Sequence, residues 1–392
     1  MTDMSTDANF DVDDLPFTQD RTLAWQQLRQ HGEVVQGREQ VVLTSAAAVE
    51  FVAKRPELFS SARAFDRLGS PVPLVPIAID PPDHTRFRRL LDPFFSPRRM
   101  AEREPELRRQ AGELIDAIKE RGECEFLADV AVPFPTQVFL TLFGLPLEDR
   151  DRLVHWKDSI LEFTDPASGE PTPEVLGLAL ELYTYLSEHI AARRANPQGD
   201  DLLSQLVALD DEGGLTDPEI LGLCFLFVLA GLDTVTSALG FSFARLATDS
   251  ELRHTLTADY SLIPYFIEEQ LRVDSPVPFA PRVATEDVEI AGCPVAKDTT
   301  VLISLGGANR DPDQYPDPDT VHLDKRPPHF AFSRGPHRCL GSHLARLELR
   351  LILEEWHNRI PDYALAEGAQ PTVPWPHATM GLDAVPIVFP PN

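Results

Sequence analysis

A mainly helical chain with small β-sheets, an α+β architecture, is what the sequence predicts, and three observations predict it. Helical periodicity recurs in long segments, notably 98–121, 147–163 and 173–195. A capped and almost wholly apolar segment begins at Thr216 and runs to about Ala247. Strand-like alternation is confined to short runs near the two ends of the chain.

Taken in order, the N-terminus MTDMSTDANFDVDDLPFTQD is acidic and lacks the apolar stretch of a signal peptide or anchor. Residues 1–18 are therefore expected to be a flexible tail, and residues 19–392 one domain. EVVQG and QVVLTS, at 33–37 and 40–45, predict a β-hairpin followed by a helix over Ala46–Lys54. Residues 60–80 mix Gly, Pro and apolar residues and predict a loop; helical periodicity returns at Arg86–Leu90. VEIAG and TTVLIS, within 288–304, predict two strands with a turn at Gly292, and AVPIVF predicts a last strand.

The segment from Thr216 carries a capping box, Thr216 at the N-cap and Glu219 at N3. At 1.5 Å per residue it would span roughly 45 Å. A membrane span is the bland alternative, but Asp233 would sit at its middle, where a carboxylate is costly in lipid, and basic flanks are missing. A helix apolar all round is instead a core helix. The polar Asp233-Thr234 at its centre then requires partners or a function.

Composition narrows the function classes. Lys and Arg number 35 against 62 Asp and Glu, a net charge of −27 that argues against nucleic-acid binding. The four cysteines, Cys124, Cys224, Cys293 and Cys339, form no C-x-x-C pair, which fits neither a disulfide framework nor a zinc site and suits a reducing cytoplasm. The 36 prolines fall in turn-like contexts such as DPPDH and SPVPFAP and read as punctuation between packed elements.

Cys339 stands apart by its setting, FSRGPHRCLG. Gly335 and Gly341 permit tight turns and close approach to a flat ligand. Arg334, His337 and Arg338 favour a thiolate, and the helical pattern of SHLARLELRLILEEW starts at once, placing the sulfur beside a helix N-terminus. This stretch resembles the haem-binding loop of the cytochrome P450 family, F-G/S-x-G-x-H-x-C-x-G, with Ser333 where many members carry Gly. The resemblance runs from about residue 20 to the end of the chain.

That resemblance implies a triangular-prism fold with haem b between the long central helix and the helix after the cysteine loop, and Cys339 as the axial ligand to iron. Glu269-Gln270-Leu271-Arg272 is similar to the family's E-x-x-R pair, a structural element that Arg326 would complete. Ala230-Gly231-Leu232-Asp233-Thr234 resembles the oxygen-activation motif; by it, Thr234 would hydrogen-bond at the dioxygen site and Asp233 would relay protons. DPPDHTRFR resembles the segment whose His84 and Arg88 hold a haem propionate, joined by Arg282 and His337, with Ala230 and Gly341 also against the cofactor. Val75, Ile77, Leu226, Leu229, Ala230, Val277, Phe279, Ala280 and Thr379 fall where the family lines its substrate cavity. They imply a small hydrophobic substrate, and LAGLDTVTSALGF, similar to camphor-hydroxylating members, makes it terpenoid-like.

The resemblance thus implies a monooxygenase: a monomer, off the membrane, inserting one atom of O2 into its substrate. No flavin or ferredoxin motif occurs in the chain, so electrons would come from a separate iron–sulfur ferredoxin and its reductase. Arg86–Arg109 holds eight arginines against four acids, and with Arg334, Arg338, Arg346 and Arg350 it predicts a basic docking face. A peroxide-driven enzyme or a haem sensor without turnover are the rival readings, and Asp233-Thr234 argues against both.

Overall fold

The structure is a computed structural model that describes residues 10–38, 40–65, 74–163, 172–196, 199–209 and 214–391. Residues 1–9 of the expected tail and 66–73 of the 60–80 loop lie outside the described residues. The remainder of that tail is packed: Phe10, Val12, Leu15 and Phe17 are buried, and Phe17 meets the rings of Trp25 and Trp375. The acidic residues between these four hid an apolar set large enough to hold the segment down.

Helix α1 (Arg21–Gln30) is capped by Asp20, whose carboxylate accepts the Leu23 N–H at 2.9 Å. Strands β1 (Val34–Gln36) and β2 (Gln40–Leu43) form the expected antiparallel hairpin, Val35 opposite Val42. Helix α2 (Ala46–Ala53), capped by Ser45, leads to β3 (Phe59–Ser60) and a single turn, α3 (Ala62–Phe65). Helices α4 (Asp83–Leu91) and α5 (Pro97–Asp116) carry the arginine-rich stretch. Strand β4 (Glu123–Glu125) precedes α6 (Pro133–Phe143), α7 (Arg150–Phe163), α8 (Pro173–Ala195) and α9 (Leu202–Ala208).

The long apolar segment is α10 (Asp217–Thr248), with both hydrogen bonds of the capping box formed between Thr216 and Glu219. It is long and apolar enough to cross a membrane by length and composition, yet it runs through the protein core against α6 and α8. Behind it come α11 (Ser250–Ala258) and α12 (Ile263–Val273), then β5 (Phe279–Ala284), β6 (Val288–Ile290), β7 (Cys293–Val295), β8 (Thr300–Ser304) and the turn α13 (Leu305–Ala308). Helix α14 (Ser342–Arg359), β9 (Ala364–Leu365) and β10 (Pro386–Val388) close the chain.

One sheet has the order β1-β2-β8-β5-β3, with β2 and β8 parallel, and joins the chain's N-terminal hairpin to its later strands. A second, β4-β10-β9, uses the expected last strand, and β6-β7 is a separate hairpin. The main apolar core lies among α5, α6, α10, α12 and α14, where Leu107, Phe134, Leu239, Phe266 and Ile352 are all buried.

Beneath that core, Arg272 holds Glu269 in a two-pronged pair at 2.8 and 2.9 Å, both side chains 1% exposed. The guanidinium also donates to the carbonyls of Asn309, Pro318 and Thr320, so this pair fastens α12 to the chain leading to Cys339. Arg326 is not the third member. It is exposed, with its guanidinium 4.1 Å from the Tyr265 ring centroid, and Glu269 instead accepts the His322 backbone N–H at 3.0 Å. One backbone donor and three backbone acceptors already satisfy the pair, which removes the need for a second buried arginine.

Candidate functional site

Cys339 ends a loop whose shape is set by its own backbone. Its N–H donates to the Phe332 carbonyl at 2.8 Å, and Ser333 and Gly335 adopt φ of 57° and 70°. A side chain at Gly335 would collide with the Ala53 carbonyl oxygen, so glycine is required there by the approach of α2 and not by a ligand. Helix α14 begins three residues after the cysteine, and the Gly341 N–H donates to its sulfur.

Of the four cysteines Cys339 alone is exposed, and it opens into a cavity beneath α10. Burial on its protein side pushes the thiol up, while the Gly341 N–H, Arg88, Arg338 and Arg346 pull the other way. A metal bound there would complete the deprotonation, since a metal takes the thiolate.

The same cavity is lined by His84 and Arg88 of one segment and by Arg282 and His337 from two distant ones. The His84 and His337 rings lie 4.2 Å apart, and the Nε2 atom of each is buried without a partner. Burial, then Arg88, pushes His84 down to about 4; burial, then Arg282, pushes His337 down to about 2. Arg282 is 5% exposed, and burial lowers it to about 10, with Asp80 only partly offsetting that. A buried cation with partial compensation, beside two buried unpaired imidazole nitrogens, fits an anionic group in contact with all three. Arg88 reaches further: it pairs with Asp92 at 2.7 Å and donates to the carbonyls of Pro336 and Arg338, bracing the cysteine loop.

Ala230, Gly231 and Thr234 face this cavity from α10. A Cβ added at Gly231 or at Gly341 would meet nothing within 4 Å, so both glycines border open space. These residues fit haem: a sulfur below, small residues along the flat faces, and cationic or imidazole donors for the propionates.

Helical spacing explains which expected residues line the substrate side. Leu226, Ala230 and Thr234, four apart, point inward together, and Leu229 turns away into the neighbouring core. Along β5 and the residues before it, Val277 and Ala280 line the cavity, whereas Phe279 faces the other way onto Trp25 and Trp375. Ile77 lines it and fully buried Val75 belongs to the core. Thr379 is also not a wall residue: its hydroxyl donates to Asp233 at 2.6 Å. Val75, Leu229, Phe279 and Thr379 are therefore corrected. Phe65, Phe227, Val235, Ala238 and Leu305 join the lining, and no motif in the sequence pointed to them.

Thr234 donates to the Ala230 carbonyl of its own helix at 3.0 Å, leaving its oxygen free to accept from the cavity. Asp233 is turned to the other side. Its Oδ1 accepts from Lys157 of α7 at 2.9 Å, and the lysine side chain is 5% exposed. Burial alone would lower Lys157; Asp233 and Asp158 outweigh it and raise the ammonium. In the sequence, Lys157 reads as one more polar residue of HWKDS.

The expected basic face is largely neutralised. Arg98 and Arg99 pair with Glu102, Arg108 with Glu104, Glu354 and Glu355, Arg109 with Glu106 and Glu113, and Arg350 with Glu104 and Glu354. Arg346 is drawn inward to Glu268 at 2.6 Å, and Glu268 also meets His329, so one carboxylate ties α12 to both ends of the cysteine loop. The acids that cancel these charges come partly from α14, a pairing that local charge counting cannot see.

Comparison with known proteins agrees with this geometry. The cytochrome P450 family profile matches residues 32–356. "Probable cytochrome P450 127A1" of Sinorhizobium fredii is 37% identical over 86% of this chain and 80% of its own length. Vitamin D(3) 25-hydroxylase of Pseudonocardia autotrophica is 36% identical over 83% of this chain and 80% of its own. The crystal structure of CYP109E1 from Bacillus megaterium in complex with testosterone superposes with a TM-score of 0.86 at 30% identity, covering 95% of this chain and 97% of that one. With a cysteine loop, a buried charge pair and a small-residue central helix arranged around one cavity, the chain belongs to the cytochrome P450 family and is a haem b monooxygenase.

Proposed function

We propose that this protein hydroxylates a largely hydrocarbon, fused-ring substrate of terpenoid or steroid type, with electrons from a separate ferredoxin. The observation that carries the reading is the single cavity shared by Cys339, the His84–Arg88–Arg282–His337 set and the apolar wall of Leu226, Val277 and Ala280. Two relatives support the ring-system class: one is named for vitamin D(3), and one was solved with testosterone.

Cys339 would hold the haem iron through its sulfur, and the two histidines and two arginines would hold the propionates. Bound haem supplies reductive activation of O2, so that RH, O2, two electrons and two protons give ROH and water. Thr234 lies at the cavity wall, where its hydroxyl oxygen can accept while its hydrogen is held by the Ala230 carbonyl, and Asp233 is the adjacent carboxylate through which protons would arrive. The apolar wall orients substrate by shape and excludes water.

The enzyme would be cytoplasmic and monomeric. Because most arginines of the expected docking face are paired within the chain, ferredoxin would meet a patterned surface of both signs. Purified protein with ferredoxin, its reductase and NAD(P)H should turn over a steroid or terpenoid that shifts its iron to high spin. Product formation from peroxide alone, with none from the electron chain, would contradict this reading.

A further inference from the structure

Beyond the haem clamp, the structure places a hydroxyl group from the far end of the chain on the central acid. Thr379 donates to Asp233 Oδ2 at 2.6 Å, and Lys157 donates to Oδ1 at 2.9 Å, so each carboxylate oxygen has one donor. Helix α10 presents Asp233 and, one turn on, Ser237 to the same strip of C-terminal loop. A Cβ at Gly381 would lie 2.7 Å from the Ser237 Oγ, so this loop runs directly against the helix. Met380 between them is 1% exposed, and its N–H donates to the Pro276 carbonyl at 2.7 Å. Three successive residues are thus pinned, and the Thr379 hydroxyl is aimed by the backbone fixed immediately after it.

We propose that Thr379 is a positioning residue for proton delivery, fixing the orientation of Asp233 from the C-terminal loop. The proposal rests on the reading that Asp233 serves proton transfer. Lysine holds a carboxylate but can only donate, whereas a hydroxyl both donates and accepts. Thr379 is half-buried, so its oxygen can also take a hydrogen bond from the solvent side while it holds Asp233. The loop also touches Pro276 of the cavity wall, which links the acid's orientation to the substrate compartment.

The test compares Thr379→Val, Thr379→Ser and Asp233→Asn as haem-loaded proteins. The bond from Thr379 ends on a carboxylate paired with Lys157, and loss of such a charge-assisted bond corresponds to about ten- to hundredfold, of which a positioning role passes on a part. Thr379→Val is expected to lower product formed per NAD(P)H by about threefold, with a matching rise in peroxide and a larger solvent isotope effect. Thr379→Ser should restore all three. In the resting proteins, thermal unfolding of Thr379→Val, Asp233→Asn and the double variant should be non-additive. Should Thr379→Val not incorporate haem, Thr379→Ala carries the same comparison. If Asp233→Asn uncouples turnover while Thr379→Val keeps wild-type coupling and isotope effect, this proposal fails and the proton role of Asp233 stands. If Asp233→Asn itself stays fully coupled, both are overturned.

Discussion

Lys157 of α7 and Asp233 at the middle of α10 form an ion pair of 2.9 Å on the side of α10 turned away from the cavity, with the lysine 5% and the aspartate 24% exposed. Lys157→Met leaves the carboxylate with the Thr379 hydroxyl as its donor and removes its counter-charge. Breaking a buried pair by removing one partner costs about 3–5 kcal/mol, and the partial exposure of Asp233 places this one near the low end, at about 3 kcal/mol. Denaturant titration of the variant measures the loss; a loss below about 0.5 kcal/mol would mean that the pair is as solvated as a surface bridge.

The correction at Arg326 yields a contrast between two arginines. Arg272→Ala strands Glu269 in the core, 1% exposed, and should cost about 3–5 kcal/mol, enough to prevent stable haem uptake. Arg326→Ala removes an exposed group resting on Tyr265 and should change stability by no more than about 0.5 kcal/mol. Equal effects in paired unfolding experiments would restore Arg326 to the buried network.

Glu268 gives stability a defined acid limb. Burial would raise its carboxyl, but Arg346 and His329 hold it down at about 2, against an ordinary value of 4.5. A depressed carboxyl contributes stability that is complete above about 4.5 and is lost as pH falls toward about 2. Glu268→Gln should therefore flatten the stability curve in that window, and the cysteine loop should loosen first, visible as early haem release on acidification. An acid limb identical to wild type would remove Glu268 from the tie.

Glu348 of α14 has the opposite sign. It is 3% exposed, its Oε2 has no partner, and burial pushes it up to about 8. The folded protein keeps this group neutral while the unfolded chain ionises it, so stability falls as pH rises between about 4.5 and about 8. Glu348→Gln should match wild type below that window and exceed it above. Parallel melting curves at every pH would show that the carboxylate is solvated.

Much of the fold was legible because its signals are local. The capping box of Thr216 and Glu219, the hairpin at Val34–Leu43 and the helix after Cys339 each depend on neighbours in sequence. That the four expected clamp residues share one cavity was foreseeable only through resemblance, since His84 and His337 are 253 positions apart and only the fold brings their rings to 4.2 Å. What the sequence hid was direction and long-range pairing. Phe279 and Ala280 are adjacent yet face opposite sides of β5, and Thr379 lies near the substrate compartment yet spends its hydroxyl on Asp233. The arginines of α5 look like a basic patch until α14 supplies Glu354 and Glu355.

The sulfur at position 339 bears the whole functional account, and the carbon monoxide complex of the reduced, haem-loaded protein tests it most directly. Thiolate ligation predicts a strongly red-shifted Soret band, lost in Cys339→His while the protein still binds haem. A band at the unshifted position in the wild-type protein, or a shifted band that survives Cys339→His, would contradict it.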